Sequence, residues 1–125
     1  MARGFTLIEM LLVLTLVALL ASLAAPVVTG GIQRARESTL KSDLSTLRRA
    51  LDDYYADTGA YPRELDDLVT KRYVRRIPPD PVTEKRDTWV LVRADADKPN
   101  QDGGILDVRS GSEERAADGT YFRDW

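Results

Sequence analysis

From Met10 to Val28 the chain runs without one ionisable side chain, inside an apolar stretch that begins at Phe5. Only Thr6, Glu9, Thr15, Ser22 and Pro26 interrupt it. As a helix rising about 1.5 Å per residue, residues 5–28 reach about 36 Å, enough to cross a hydrocarbon core of about 30 Å. Glu9 lies near the start of that helix, where an ionised carboxylate in lipid costs on the order of 2 kcal/mol or more. A plain anchor gains nothing from this cost. The acid therefore implies a partner charge that arrives at membrane depth.

Gly4-Phe5-Thr6-Leu7-Ile8-Glu9, with the apolar run behind it, resembles the class III signal of type IV pilins and type II secretion pseudopilins. The resemblance implies that a prepilin peptidase cuts between Gly4 and Phe5 and methylates the new terminus at Phe5. Residues 1–4 are then a removable leader, and Glu9 takes the position at which the family keeps its glutamate.

Cleavage there leaves a cationic amine one helical turn from Glu9, within reach of it in the same chain. In a filament of parallel helices, the amine of an incoming subunit meets Glu9 of a neighbour instead. Neutralising both charges at membrane depth favours one axial register over others. Glu9 is thus expected to serve assembly, not catalysis. Two other readings stand beside this one. A secretory signal peptide would start at Arg3 and end at Ser22-Leu23-Ala24, before Ala25. A single-span anchor would keep its first residues. The mature amino terminus separates the three, being Phe5, Ala25, or Met1 (or Ala2).

The rest of the 125 residues is enough for one small domain with a limited core. Apart from Arg3 and Glu9, all 18 basic and 20 acidic residues lie beyond Gln33, so that part is nearly balanced in charge. No basic stripe interleaved with aromatics occurs, which argues against a nucleic-acid partner. Histidine and cysteine are both absent, excluding thiol or imidazole metal sites, cysteine nucleophiles, histidine triads and disulfides. The acidic pairs Asp52-Asp53 and Asp66-Asp67 suit solvated faces better than a two-carboxylate glycosidase cleft. No enzyme is expected.

Leu40, Leu44, Leu47, Leu51 and Tyr54 recur at helical spacing, with Arg48, Arg49, Asp52 and Asp53 between them expected in water. One long helix is predicted from about Phe5 to Ala56. Pro26 deletes a backbone donor and Gly30-Gly31 weakens helix preference, so a kink or soft joint is expected over residues 26–31. Asp57-Thr58-Gly59 reads as a helix stop. Residues 64–69 read as a short helix packed through Leu65, Leu68 and Val69. The prolines of Ile77-Pro78-Pro79-Asp80-Pro81 exclude regular helix. Residues 88–93 and 105–109 read as two strands of a long-looped antiparallel hairpin, with Trp89 and Leu91 on one face. Tyr121, Phe122 and Trp125 are expected to pack back on the domain. The fold class is α+β, pilin-like: a long N-terminal helix, membrane-spanning in its first half and amphipathic in its second, packed on a small antiparallel sheet. By domain, residues 5–28 form the transmembrane and assembly helix, and residues 29–125 a periplasmic globular domain.

The spacing of Tyr55, Asp57, Gly59, Tyr61 and Pro62 is similar to that of major, G-type pseudopilins. So is Pro78-Pro79-Asp80-Pro81, although Val82 and Thr83 stand where that family usually has Trp and Gly. Asp107, Ser110, Asp118-Gly119-Thr120 and Trp125 resemble its tail, where the family binds calcium. The calcium candidates implied here are Ser110, Glu113 and Asp118, near Glu114 and Asp124. An alternative loop holds Asp95, Asp97 and Asp102, with Asn100, before Gly103-Gly104. It lacks the bidentate glutamate of an EF-hand, and an ordinary solvated turn explains it better.

The resemblance implies a major pseudopilin polymerising with copies of itself into the periplasmic pseudopilus of a type II secretion system. Its partners would be minor pseudopilins, the inner-membrane assembly platform and the prepilin peptidase. The alternatives are the major subunit of an extracellular type IV pilus and a monomeric membrane-anchored binding domain.

Overall fold

The computed structural model describes residues 4–98 and 103–125. Four regular elements follow in order: helix α1 (Leu7–Thr58), helix α2 (Asp66–Thr70), strand β1 (Val90–Arg93) and strand β2 (Ile105–Arg109). A 3₁₀ turn over Phe122–Asp124 closes the order. The chain divides into two compact units, Met1–Arg34 and Ala35–Trp125.

In the first unit the helix passes through Pro26 without interruption. Its hydroxyl side chains are satisfied within one turn: Thr15 donates to the Leu11 carbonyl at 2.7 Å, Ser22 to Leu19 at 2.8 Å and Thr29 to Ala25 at 2.9 Å. Such back-bonding is what makes a hydroxyl tolerable on an apolar helix. The apolar side chains of this segment are exposed, Leu7, Leu20 and Leu23 to 81, 68 and 72%. This segment is long and apolar enough to cross a membrane.

The second unit holds the core. Leu40, Leu44, Leu47 and Leu51 are buried along one stripe of α1, each worth about 1.5–3 kcal/mol in area removed from water. Leu68 from α2, with Leu65 and Val69 beside it, joins them as the leucine and valine spacing predicted. Ile77, Trp89, Ile105, Val108 and Phe122 complete the cluster. Gly59 ends α1 with φ at 77°, its amide on the Tyr55 carbonyl at 2.8 Å.

β1 and β2 pair antiparallel, Leu91 opposite Val108 and Val92 opposite Asp107. Between Val92 and Arg93 the register slips, and Arg93 lies opposite Ile105. The extra residue on β2 lets both Ile105 and Val108 face the core, three positions apart, where strict alternation would turn one of them outward. The chain is therefore an α+β protein, a long helix packed through its second half on a small two-stranded sheet.

Candidate functional site

The chemistry at the amino-terminal end is set by a single helix start. Gly4, Phe5 and Thr6 precede α1 in non-helical backbone, and Phe5 is 78% exposed. Thr6 Oγ1 accepts the Glu9 amide at 3.2 Å, while the Glu9 carboxylate accepts the Thr6 amide at 3.4 Å. This is a capping box: the residue before the helix and the one three places on satisfy each other's orphan donors. Glu9 thus has a local partner, and the Thr-x-x-Glu spacing that makes it is legible in the sequence. The box also fixes where the carboxylate sits, at the positive end of the helix dipole. Of the expected leader, residues 1–3 lie outside the described residues.

In the globular unit, one expectation is corrected. Arg48 does not stand in water beside Arg49, Asp52 and Asp53. It is half-buried and donates through Nε to Asp107 Oδ1 at 2.7 Å. Its Nη2 reaches the Val108 carbonyl at 3.1 Å and the Trp125 backbone oxygen at 2.6 Å. A guanidinium fork suits this clasp, since it offers several donors in one plane. Arg49, Asp52 and Asp53 are exposed as expected.

A second polar junction ties the proline-rich segment to the end of β2. Asp80 is fully buried, yet both its oxygens are used. Oδ1 accepts the amides of Val82 at 2.8 Å and Thr83 at 3.4 Å, and Oδ2 accepts the Ser110 hydroxyl at 2.5 Å. Ser110 Oγ in turn accepts the Ser112 amide at 3.2 Å. Nothing in the spacing of Asp80 and Ser110 announces this pair. Asp43 on α1 feels it: partial burial, and then the Asp80 charge, push the Asp43 carboxyl above its usual range.

The ion candidates have separate partners. Ser110 is committed to Asp80, and Glu113 is exposed. Asp118 Oδ1 accepts both the amide and the hydroxyl of Thr120, at 2.9 and 2.6 Å. These bonds, followed by the Lys41 charge, hold the Asp118 carboxyl below its usual range. Asp95 and Asp97 share an exposed turn in which Asp95 Oδ1 accepts the Asp97 amide at 3.2 Å. Asp102 and Asn100 lie outside the described residues. Among the described residues, no three acidic side chains gather where they would hold a metal ion.

An apolar helix started by a Gly-Phe junction, carrying one acid in a capping box and continuing into a small α+β unit, is the arrangement of the pilin-like class of subunits. A family model described as the prokaryotic N-terminal methylation motif matches residues 1–25. The chain is 36% identical to type II secretion system core protein G of Klebsiella michiganensis, over 63% of this chain and 67% of that protein. With the protein of the same name from Klebsiella pneumoniae it shares 36% identity over 63 and 68% of the two chains. For Vibrio cholerae the identity is 33%, over 62 and 64%. The chain spans about two thirds of the length of these relatives. No solved structure matches it. The chain belongs to the type II secretion system core protein G family, the major pseudopilins. These names fall on the secretion side of the two filament readings, not on the extracellular pilus.

Proposed function

We propose that this chain is the main structural subunit of a periplasmic pseudopilus, and that it has no catalytic activity. Prepilin peptidase removes residues 1–4 and methylates Phe5. The segment 5–28 anchors the subunit in the inner membrane, with the globular unit in the periplasm, until the assembly platform and minor pseudopilins add it to the filament. Copies of the same helix then cover the apolar side chains that are bare in the single chain.

The observation that carries this reading is the Thr6–Glu9 box on an otherwise uncovered apolar helix. The box holds the one acid of the segment at the helix start, one turn from the amine that processing would expose. Pairing of that amine with Glu9 of a neighbour sets the axial register. Pro26 and Gly30-Gly31 lie where packed helices adjust to one another.

Mass spectrometry of the native amino-terminal peptide tests the processing, with a methylated Phe5 terminus expected. Glu9→Leu is expected to insert in the membrane and to form few or no filaments by electron microscopy. Normal filaments from that variant, or an active protein still carrying residues 1–4, would overturn the proposal.

A further inference from the structure

The family resemblance implies a calcium ion in the tail after β2, but among the described residues no three acidic side chains gather there to hold one. Calcium takes 6–8 oxygens, drawn from carboxylates, carbonyls and waters. In this tail the Ser110 hydroxyl already donates to Asp80 and accepts from Ser112. Asp118 accepts twice from Thr120. The carbonyls of Glu114, Ala116 and Thr120 accept the amides of Phe122, Gly119 and Ala116 at 3.2, 3.0 and 2.7 Å. The loop is folded on its own amides.

What holds this tail to the rest of the unit comes from α1. Glu37 Oε1 accepts the Ala117 amide at 2.7 Å. The Lys41 ammonium sits 4.8 Å from the centroid of the Trp125 ring. Arg48 clasps Asp107, Val108 and Trp125. At about 100° per residue, positions 37, 41 and 48 fall within roughly 40° of one another around the helix. They form a single polar stripe that meets the tail at three points. Trp125 is held on both sides of this stripe's logic: its ring lies under an ammonium and its backbone oxygen under a guanidinium. Its indole Nε1 also donates to Thr120 Oγ1 at 2.8 Å, which ties the last residue to the turn that Asp118 caps.

We propose that the segment from Ser110 to Trp125 closes without a divalent cation, and that the stripe Glu37–Lys41–Arg48 on α1 is the device that holds it. Such a subunit keeps its tail in place at any calcium concentration. The inference rests on the geometry of the globular unit and stands whether or not the subunit polymerises.

The full chain in detergent micelles is melted, and its amide exchange followed, in millimolar calcium chloride and in excess chelator. The expected result is the same melting midpoint and the same protection of the Ala116, Gly119 and Phe122 amides in both. Lys41→Met with Arg48→Met is expected to speed exchange at those amides by about tenfold or more, with no rescue by calcium. Should that pair fail to fold, Lys41→Met alone, at an exposed position, is expected to speed it several-fold. A calcium effect confined to amides near Asp95 and Asp97 agrees with the proposal, since the tail is then untouched. Calcium-dependent protection of the tail that disappears in Glu113→Gln or Asp118→Asn would overturn it. So would unchanged tail exchange in the Lys41 variant.

Discussion

Arg48 on α1 and Asp107 on β2 meet at 2.7 Å, and the same guanidinium continues to the backbone of Val108 and Trp125. One side chain thus joins the long helix, the sheet and the end of the chain. Arg48→Met keeps much of the stem's packing but removes all three donations. It is expected to lower stability by about 2 kcal/mol, measured by denaturant unfolding. Asp107→Asn is expected to cost less, and a double-mutant cycle between the two to show coupling of about 1 kcal/mol.

Ser110→Ala removes one donor from a carboxylate that has no access to water. The cost expected is about 1–3 kcal/mol, because Asp80 is left with only the amides of Val82 and Thr83. Ser110→Thr keeps the hydroxyl but adds a methyl where the chain is tightly packed. A thermal melt that moved for neither variant would show that the pair does not matter to the fold.

Asp43 gives a pH dependence of known sign. Unfolded, its carboxyl titrates near 3.8; folded, burial and then the Asp80 charge make it hold its proton to higher pH. Above 3.8 the folded state binds more protons, so this group's contribution to stability falls as pH rises through that interval. Below it both states are protonated and the contribution is level. Asp43→Asn is therefore expected to exceed the parent in stability at neutral pH and to match it in acid. The gain stays under about 1 kcal/mol, since water still reaches the group. Melts across the acid range check it.

Glycines at two sites should respond oppositely to alanine. A Cβ at Gly30 or Gly31 meets nothing within 4 Å, and each substitution is expected to favour the helix by about 1 kcal/mol. A Cβ at Gly111 would lie 2.0 Å from the Thr88 carbonyl oxygen, a backbone atom that cannot swing aside. Gly111→Ala is expected to destabilise the globular unit markedly, and helicity and melting of the three variants can be compared directly. If the joint after Pro26 must soften during assembly, Gly30→Ala with Gly31→Ala yields a more helical subunit and fewer filaments.

Much of this architecture was legible because it is local. Leu40, Leu44, Leu47 and Leu51 declare a buried stripe by spacing alone, and the bounds of β2 follow from its apolar run and the turn residues before it. The placement of Arg48 is not legible, for the converse reason. On the helix it lies between two buried leucines, at Leu47 and Leu51, at the edge of the stripe. Only the sheet that folds over that edge decides whether its charge meets water or a carboxylate. Asp80 sits between prolines and reads as a turn residue; its burial depends on Ser110, thirty positions away.

The sequence by itself determined the apolar helix, its acid at the start, the helix stop at Gly59 and the two strands, since each follows from neighbours within a few residues. Tertiary structure decided which polar groups became partners: Arg48 with Asp107, Asp80 with Ser110, Glu37 with Ala117. It also decided the slip in β2 that turns both Ile105 and Val108 inward. The physical reason is range. Backbone periodicity and steric preference act between adjacent turns, whereas the value of a charge or hydroxyl depends on what the folded chain places against it, and that neighbour lies far along the sequence.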